Sequence, residues 1–185
     1  MRTHYSPRLI FLVLAIVALI SIPVVGAILP VFYVQTFIFD RMAIILYPDG
    51  INFRLVMAAC FILFIGLMIP VIKQNKLFYS ISIIIIAGAL FVFYLSILSY
   101  TYIGNEQVVS NKLFDGKTFQ WSEIEEVVLE YYVDDIGTHE EYIFTSVDGN
   151  SIRIPLNDQF LHEDKNEIYR VAKQNNVEFI EREKM

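Results

Sequence analysis

Three long stretches without a single charged side chain dominate the first half of this chain, and they leave few folds open to it. Leu9–Val34, Leu55–Ile72 and Leu77–Ile103 contain no Asp, Glu, Lys, Arg or His. A hydrocarbon core is crossed by roughly 20 helical residues at a rise of about 1.5 Å each. The outer two blocks are long enough with tilt, and the middle one is barely long enough. In lipid a backbone must satisfy its own hydrogen bonds, so all three blocks are expected to be helical. Pro23 and Pro30 should kink the first helix, and Pro70 should loosen the end of the second.

Charge divides the chain at the same place. Residues 1–103 carry 6 Lys+Arg against 2 Asp+Glu, and residues 104–185 carry 8 against 18. The front is therefore +4 and the rear −10, which together give the formal charge of −6. The expected organisation is a transmembrane anchor over 1–103, with helices about 9–34, 55–72 and 77–103, followed by an acidic water-soluble module over 104–185. A pI near 5.0 argues against nucleic acid, because a phosphate backbone calls for a cationic footprint. The single cysteine, Cys60, allows no intrachain disulfide and falls within the second block.

Arg2 and Arg8 before an apolar run, with Val25-Gly26-Ala27 after it, also resemble a cleavable secretory signal. The run continues through Ile28, Val31 and Val34, which favours a retained anchor. Arg2, Arg8, Lys73 and Lys76 flank one side of the expected spans, and Arg41 and Arg54 the other. The positive-inside rule then places the module outside the cytoplasm in a multi-pass cell-membrane protein. The blocks hold no ionisable side chain of the kind that ion relays use. Small residues such as Ala15, Ala18, Ala58, Ala59, Ala87, Gly88 and Ala89 suit plain helix packing.

Beyond residue 103 the pattern becomes that of short strands. Val108–Phe114 and Lys117–Trp121 flank Asp115-Gly116, and Tyr142–Val147 and Ser151–Leu156 flank Asp148-Gly149. An Asp-Gly pair between β-rich runs is a strong hairpin signal. Val127–Val133 reads as another strand, closed by Asp134, Asp135 and Gly137. Ile152, Ile154 and Leu156 alternate with polar neighbours and should share a buried face. A helix is expected over about 164–175, with Asp164 as its cap, Glu167 completing a capping box, and Ile168, Val171 and Ala172 as its buried stripe. Asn175 and Asn176 suit its end, and Val177–Ile180 a last strand.

The segment Tyr102–Leu156, centred on Trp121-Ser122-Glu123-Ile124-Glu125-Glu126-Val127, resembles bacterial pleckstrin-homology-like (PH-like) domains. These domains often sit beside transmembrane helices. The resemblance covers about 80 residues and none of the anchor. It implies an antiparallel PH-like β-sheet closed by one C-terminal helix, used as a structural and interaction module with no catalytic residues. Many such domains face the cytoplasm, the opposite of the charge count. Eukaryotic relatives that bind phosphoinositides use a Lys/Arg cluster. Here the early hairpin offers only Lys112 and Lys117 in an acidic surrounding, which disfavours anionic lipid headgroups.

No nucleophile-base-orienter arrangement, Gly-rich phosphate loop or His-Glu-x-x-His element is present. Enzyme activity and a cofactor are therefore not expected. Asp134, Asp135, His139, Glu140 and Glu141 lack calcium-loop spacing and read as a solvated turn. His162-Glu163-Asp164 reads as a helix start, and no metal site is expected. Trp121 is expected to be a buried anchor of the small core, with Ser122 as a cap or turn residue. Tyr131 and Tyr132 must point to opposite faces of a strand, so that one is exposed. Together with Tyr142 they are the candidate contact residues for a protein partner. The expected function is a non-catalytic, membrane-anchored protein-interaction or scaffolding module. It would bind another protein or itself; an accessory subunit of a transporter or channel is the alternative.

Overall fold

A computed structural model describes residues 6–134, 137–156, 160 and 162–183. The chain divides into two compact units. One holds residues 1–33 and 48–99, and the other holds 34–47 and 100–185.

The first unit is three helices: α1 (Pro7–Tyr33), α2 (Gly50–Ile72) and α3 (Lys76–Leu95). A π-helical turn, Val34–Ile38, extends the helical stretch of α1 to 32 residues, and α2 and α3 have 23 and 20. All three are long and apolar enough to cross a membrane, as a multi-pass membrane protein requires. Helix α2 packs against both α1 and α3. Its approach to α3 is close at Gly66, where an added Cβ would sit 3.0 Å from Ile86 Cγ1 and 3.1 Å from Ile85 Cγ2. The Ser82 hydroxyl donates to the Gly66 carbonyl across that approach at 2.7 Å. This is how small residues bring helices together where lipid competes for apolar surface.

Both later helices differ from the sequence expectation at one end. Helix α2 starts at Gly50 rather than Leu55, because Asp49 caps it by accepting from the Ile51 N–H. Helix α3 stops at Leu95 rather than near Ile103, and Tyr100–Gly104 is a strand, β2. Hydropathy does not separate an apolar strand bound for a protein core from the end of a spanning helix. The Ser99 carbonyl, just before β2, accepts from the Asp49 N–H at 3.2 Å and from Asn52 Nδ2 at 2.5 Å.

Among the described residues the second unit is built from two four-stranded sheets and one α-helix. The first sheet has the order β1-β2-β3-β4, with β1 Ala43–Pro48, β3 Gln107–Lys112 and β4 Asp115–Gln120. The second has the order β7-β6-β5-β8, with β5 Ile124–Asp134, β6 Gly137–Ser146, β7 Ser151–Pro155 and β8 Glu178–Glu183. The expected single antiparallel sheet closed by one helix is thus corrected on three counts. There are two sheets; β1 comes from the segment between α1 and α2; and β8, which follows helix α4 (His162–Gln174), runs parallel to β5. A 3₁₀ turn at Trp121–Glu123 ends β4 and starts the second sheet at β5. Asp148-Gly149 does make its hairpin, with Gly149 at φ 78°. In the β3–β4 hairpin the turn instead falls on Leu113-Phe114, and Lys112 pairs with Asp115. The turn closed by Asp135 lies outside the described residues.

One hydrophobic core joins both sheets to α4. It takes Ile45 and Tyr47 from β1, Ile103 from β2, Trp121 from the 3₁₀ turn, Val127 from β5, and Phe144 from β6. Ile152 and Ile154 from β7 and Ile168, Val171 and Ala172 from α4 complete it, in the alternation and helical spacing their sequence shows. Helix α4 begins two residues before the expected cap, so Asp164 lies in its first turn, where a carboxylate suits the helix dipole. Its C-terminus is a Schellman motif. Asn176 adopts φ 58°, the Val177 N–H donates to the Ala172 carbonyl and the Asn176 N–H to that of Lys173.

Candidate interaction surface

Of the four residues singled out from sequence, Trp121 and Tyr142 belong to the core. Trp121 is 2% exposed, donates its indole N–H to the Gly104 carbonyl at 2.8 Å, and meets the Phe144 ring edge-on. It is the expected anchor. Ser122 lies in the middle of the turn; the Gln120 N–H donates to the Glu123 carboxylate at 2.9 Å, so Glu123 does the capping. Tyr142 is fully buried among Phe144, Phe160 and Phe179 and offers no contact surface. Its hydroxyl has no hydrogen-bond partner among the described residues, and burial pushes its pKa well above the usual phenol value. The sequence did carry this signal: Tyr142 and Phe144 are two apart on one strand and so share a face.

Tyr131 and Tyr132 are both 37% exposed, on the part of the β5–β6 hairpin where β8 gives out at Tyr131. Tyr132 stacks on its cross-strand partner His139 at 4.8 Å. The acidic residues near them are engaged: Glu140 pairs with Lys165, and Glu141 with Arg153 at 3.1 Å. Among the described residues no three His, Cys, Asp or Glu groups are placed to hold a metal ion.

Lys112 and Lys117 share one cleft of about 240 Å³, which Ser110, Asp115, Ser151 and Arg153 also line. Lys117 there donates to the Ser151 carbonyl at 3.2 Å, and Arg153 pairs with Glu141 at 3.1 Å.

The most elaborated surface is the one least expected, around β1. Asp40 precedes this strand and accepts from the Met42 N–H at 2.9 Å and from the Tyr102 hydroxyl at 2.7 Å. Those bonds hold its carboxyl below the usual carboxylate range. Desolvation, then the Asp40 bond, raises the Tyr102 hydroxyl well above the usual phenol value. The Tyr102 ring lies over Gly104, where an added Cβ would fall 2.5 Å from its Cζ and 2.8 Å from its Cε1. Gly104 therefore gives Tyr102 room to reach Asp40, while its carbonyl fixes Trp121.

Along β1, Ile45 and Tyr47 face the core, and Ile44 and Leu46 beside them are both half-buried. Two clefts run beside the strand and share Ala43, Ile44 and Asp164. One, of about 250 Å³, adds Gln35, Phe39, Asp40 and Tyr47. The other, of about 390 Å³, adds Arg41, Asn105, Glu163 and Glu167. Sequence reasoning passed over this strand, although Ala43–Tyr47 is a β-rich run closed by Pro48-Asp49-Gly50.

No protein-family model matches the chain, and no curated protein matches it.

Proposed function

We propose that this protein is a membrane-anchored, non-catalytic interaction module that presents a PH-like domain at the bilayer surface to a protein partner. The observation that carries the reading is the origin of β1. A strand drawn from between the first two apolar helices is a member of the soluble unit's own sheet, so the chain passes between the two units three times. A module held by one flexible tether would not be built this way. The pairing of β1 with β2 also requires both strands to lie on one side of the bilayer. That requirement fits α2 and α3 crossing as a pair. The two sheets hinged at Trp121, the Asp148-Gly149 hairpin and the α4 stripe support the PH-like assignment.

The charge count favours an extracytoplasmic module, with Lys73 and Lys76 on the inner side. Crosslinking in native membranes followed by mass spectrometry should recover a reproducible protein partner. Recovery of the bare chain alone across several crosslinkers refutes the proposal.

A further inference from the structure

We propose that the outer edge of β1 is a docking site for an extended, cationic peptide segment of the partner protein, which would add as a further strand to the first sheet. The inference rests on the interaction reading above and names the partner's chemistry. Strand β1 ends its sheet, with β2 on one side and no strand on the other among the described residues. The Leu46 carbonyl accepts from the Gln35 side chain at 3.4 Å, a bond made outside the β1–β2 ladder, and that bond is what assigns Leu46 to the outer side. Residues two apart on a strand present their backbone groups to the same side, so the N–H and C=O of Ile44 face outward as well. Such an edge recognises a peptide through main-chain bonds, and the pockets beside it select the side chains.

Those pockets define the ligand's charge. Asp40, Glu163, Asp164 and Glu167 line the two clefts that flank Ile44, against one cation, Arg41. Arg170 answers Glu167 through a side-chain ion pair, and Asp40 and Glu163 by themselves still outnumber Arg41, so the lining is net negative. Asp40 is held ionised by its two donors. The side chains of Ile44 and Leu46 give the same cleft an apolar floor. A strand alternating apolar and basic residues meets both demands, whereas an acidic segment is repelled. Edge strands of natural proteins are commonly protected by charge, proline or a covering element. Here the chain leaves the edge beside a cleft and lines it with acid.

The test uses the full chain in detergent micelles and fluorescence anisotropy of a labelled peptide that alternates valine and lysine. Binding that weakens with added salt is expected, with none for the valine–glutamate counterpart. Glu163→Gln combined with Asp164→Asn should weaken binding about ten-fold, and Ile44→Pro, which removes the outward N–H, should abolish it. Emission from Trp121, the only tryptophan, verifies that each variant is folded.

Equal binding of the two peptides, or binding indifferent to the acid substitutions, overturns the inference. So does self-association of the chain that Ile44→Pro removes while neither peptide binds; the edge would then serve a second copy. If crosslinking still captures a partner that none of these substitutions affects, the docking site is wrong and the interaction module stands. If no partner is captured at all, the broader proposal fails.

Discussion

Gly104→Ala is the substitution whose effect the structure defines most sharply. The new methyl group would fall 2.5 Å from Cζ and 2.8 Å from Cε1 of the Tyr102 ring, far inside contact distance. The ring must swing, its hydroxyl leaves Asp40, and β2 shifts at the carbonyl that holds Trp121. Overpacking of this kind costs about 1–3 kcal/mol. The reduced freedom of the unfolded chain offsets about 0.4–1 kcal/mol of that. The central values leave a net loss of about 1.3 kcal/mol, within a span of about 0–2.6 kcal/mol. In a unit of this size each kcal/mol moves the midpoint by roughly 4–8 °C, so a fall of roughly 5–10 °C is expected. Thermal unfolding followed by Trp121 emission reads it at the affected spot. The decisive control is the same substitution in a Tyr102→Ala background, where the clashing atoms are gone. There it should be neutral or slightly stabilising, a coupling that a double-mutant cycle measures directly. An equal cost in both backgrounds would refute the steric reasoning.

Three further expectations concern the second unit. Tyr142→Phe removes a buried hydroxyl that has no partner among the described residues, and should raise stability by about 1 kcal/mol in chemical unfolding. The folded-state pKa of Tyr142 is raised, so its contribution is fully present below about pH 10 and lost as pH rises beyond it; the phenylalanine variant should resist alkali better. Asn176→Val forces a β-branched residue to φ 58° and should cost about 1–2 kcal/mol, whereas Asn176→Gly should be neutral or better, as measured by denaturant midpoints. For membrane sidedness, Asp148→Cys in a Cys60→Ala background should react with an impermeant thiol reagent on intact cells; labelling only after lysis would place the module inside. Asp148 is exposed at a hairpin tip, whereas the neighbouring Ser146 is 4% exposed and would hide a probe.

What the sequence made readable was local. The three apolar helices, the Ile152/Ile154 alternation, the Asp148-Gly149 turn and the Ile168/Val171/Ala172 stripe all depend on neighbours within a few residues. What it hid was pairing. Nothing between residues 43 and 48 announces β2 as a partner, and nothing in Glu178–Glu183 announces a parallel place beside β5. Tyr100–Ile103 was misassigned because a strand buried in a core and the tail of a membrane helix are equally apolar. The aromatic residues singled out from sequence fared similarly. Trp121 was legible as an anchor because one large aromatic in a small domain has few other roles. Tyr142 was misjudged although its place two residues before Phe144 puts both on one face; Phe160 and Phe179, which also pack on it, come from farther along the chain.

The interrupted origin of the first sheet bears on how this protein can be handled in pieces. Excision at the natural-looking boundary, beginning at Tyr100, would discard Ile45 and Tyr47 and bare the flank of β2. A truncated product of that kind would be prone to clump or to borrow a strand from a neighbour, and its behaviour would say little about the intact molecule. A faithful soluble version needs residues 34–47 spliced ahead of residue 100, with the missing helical hairpin replaced by a short linker.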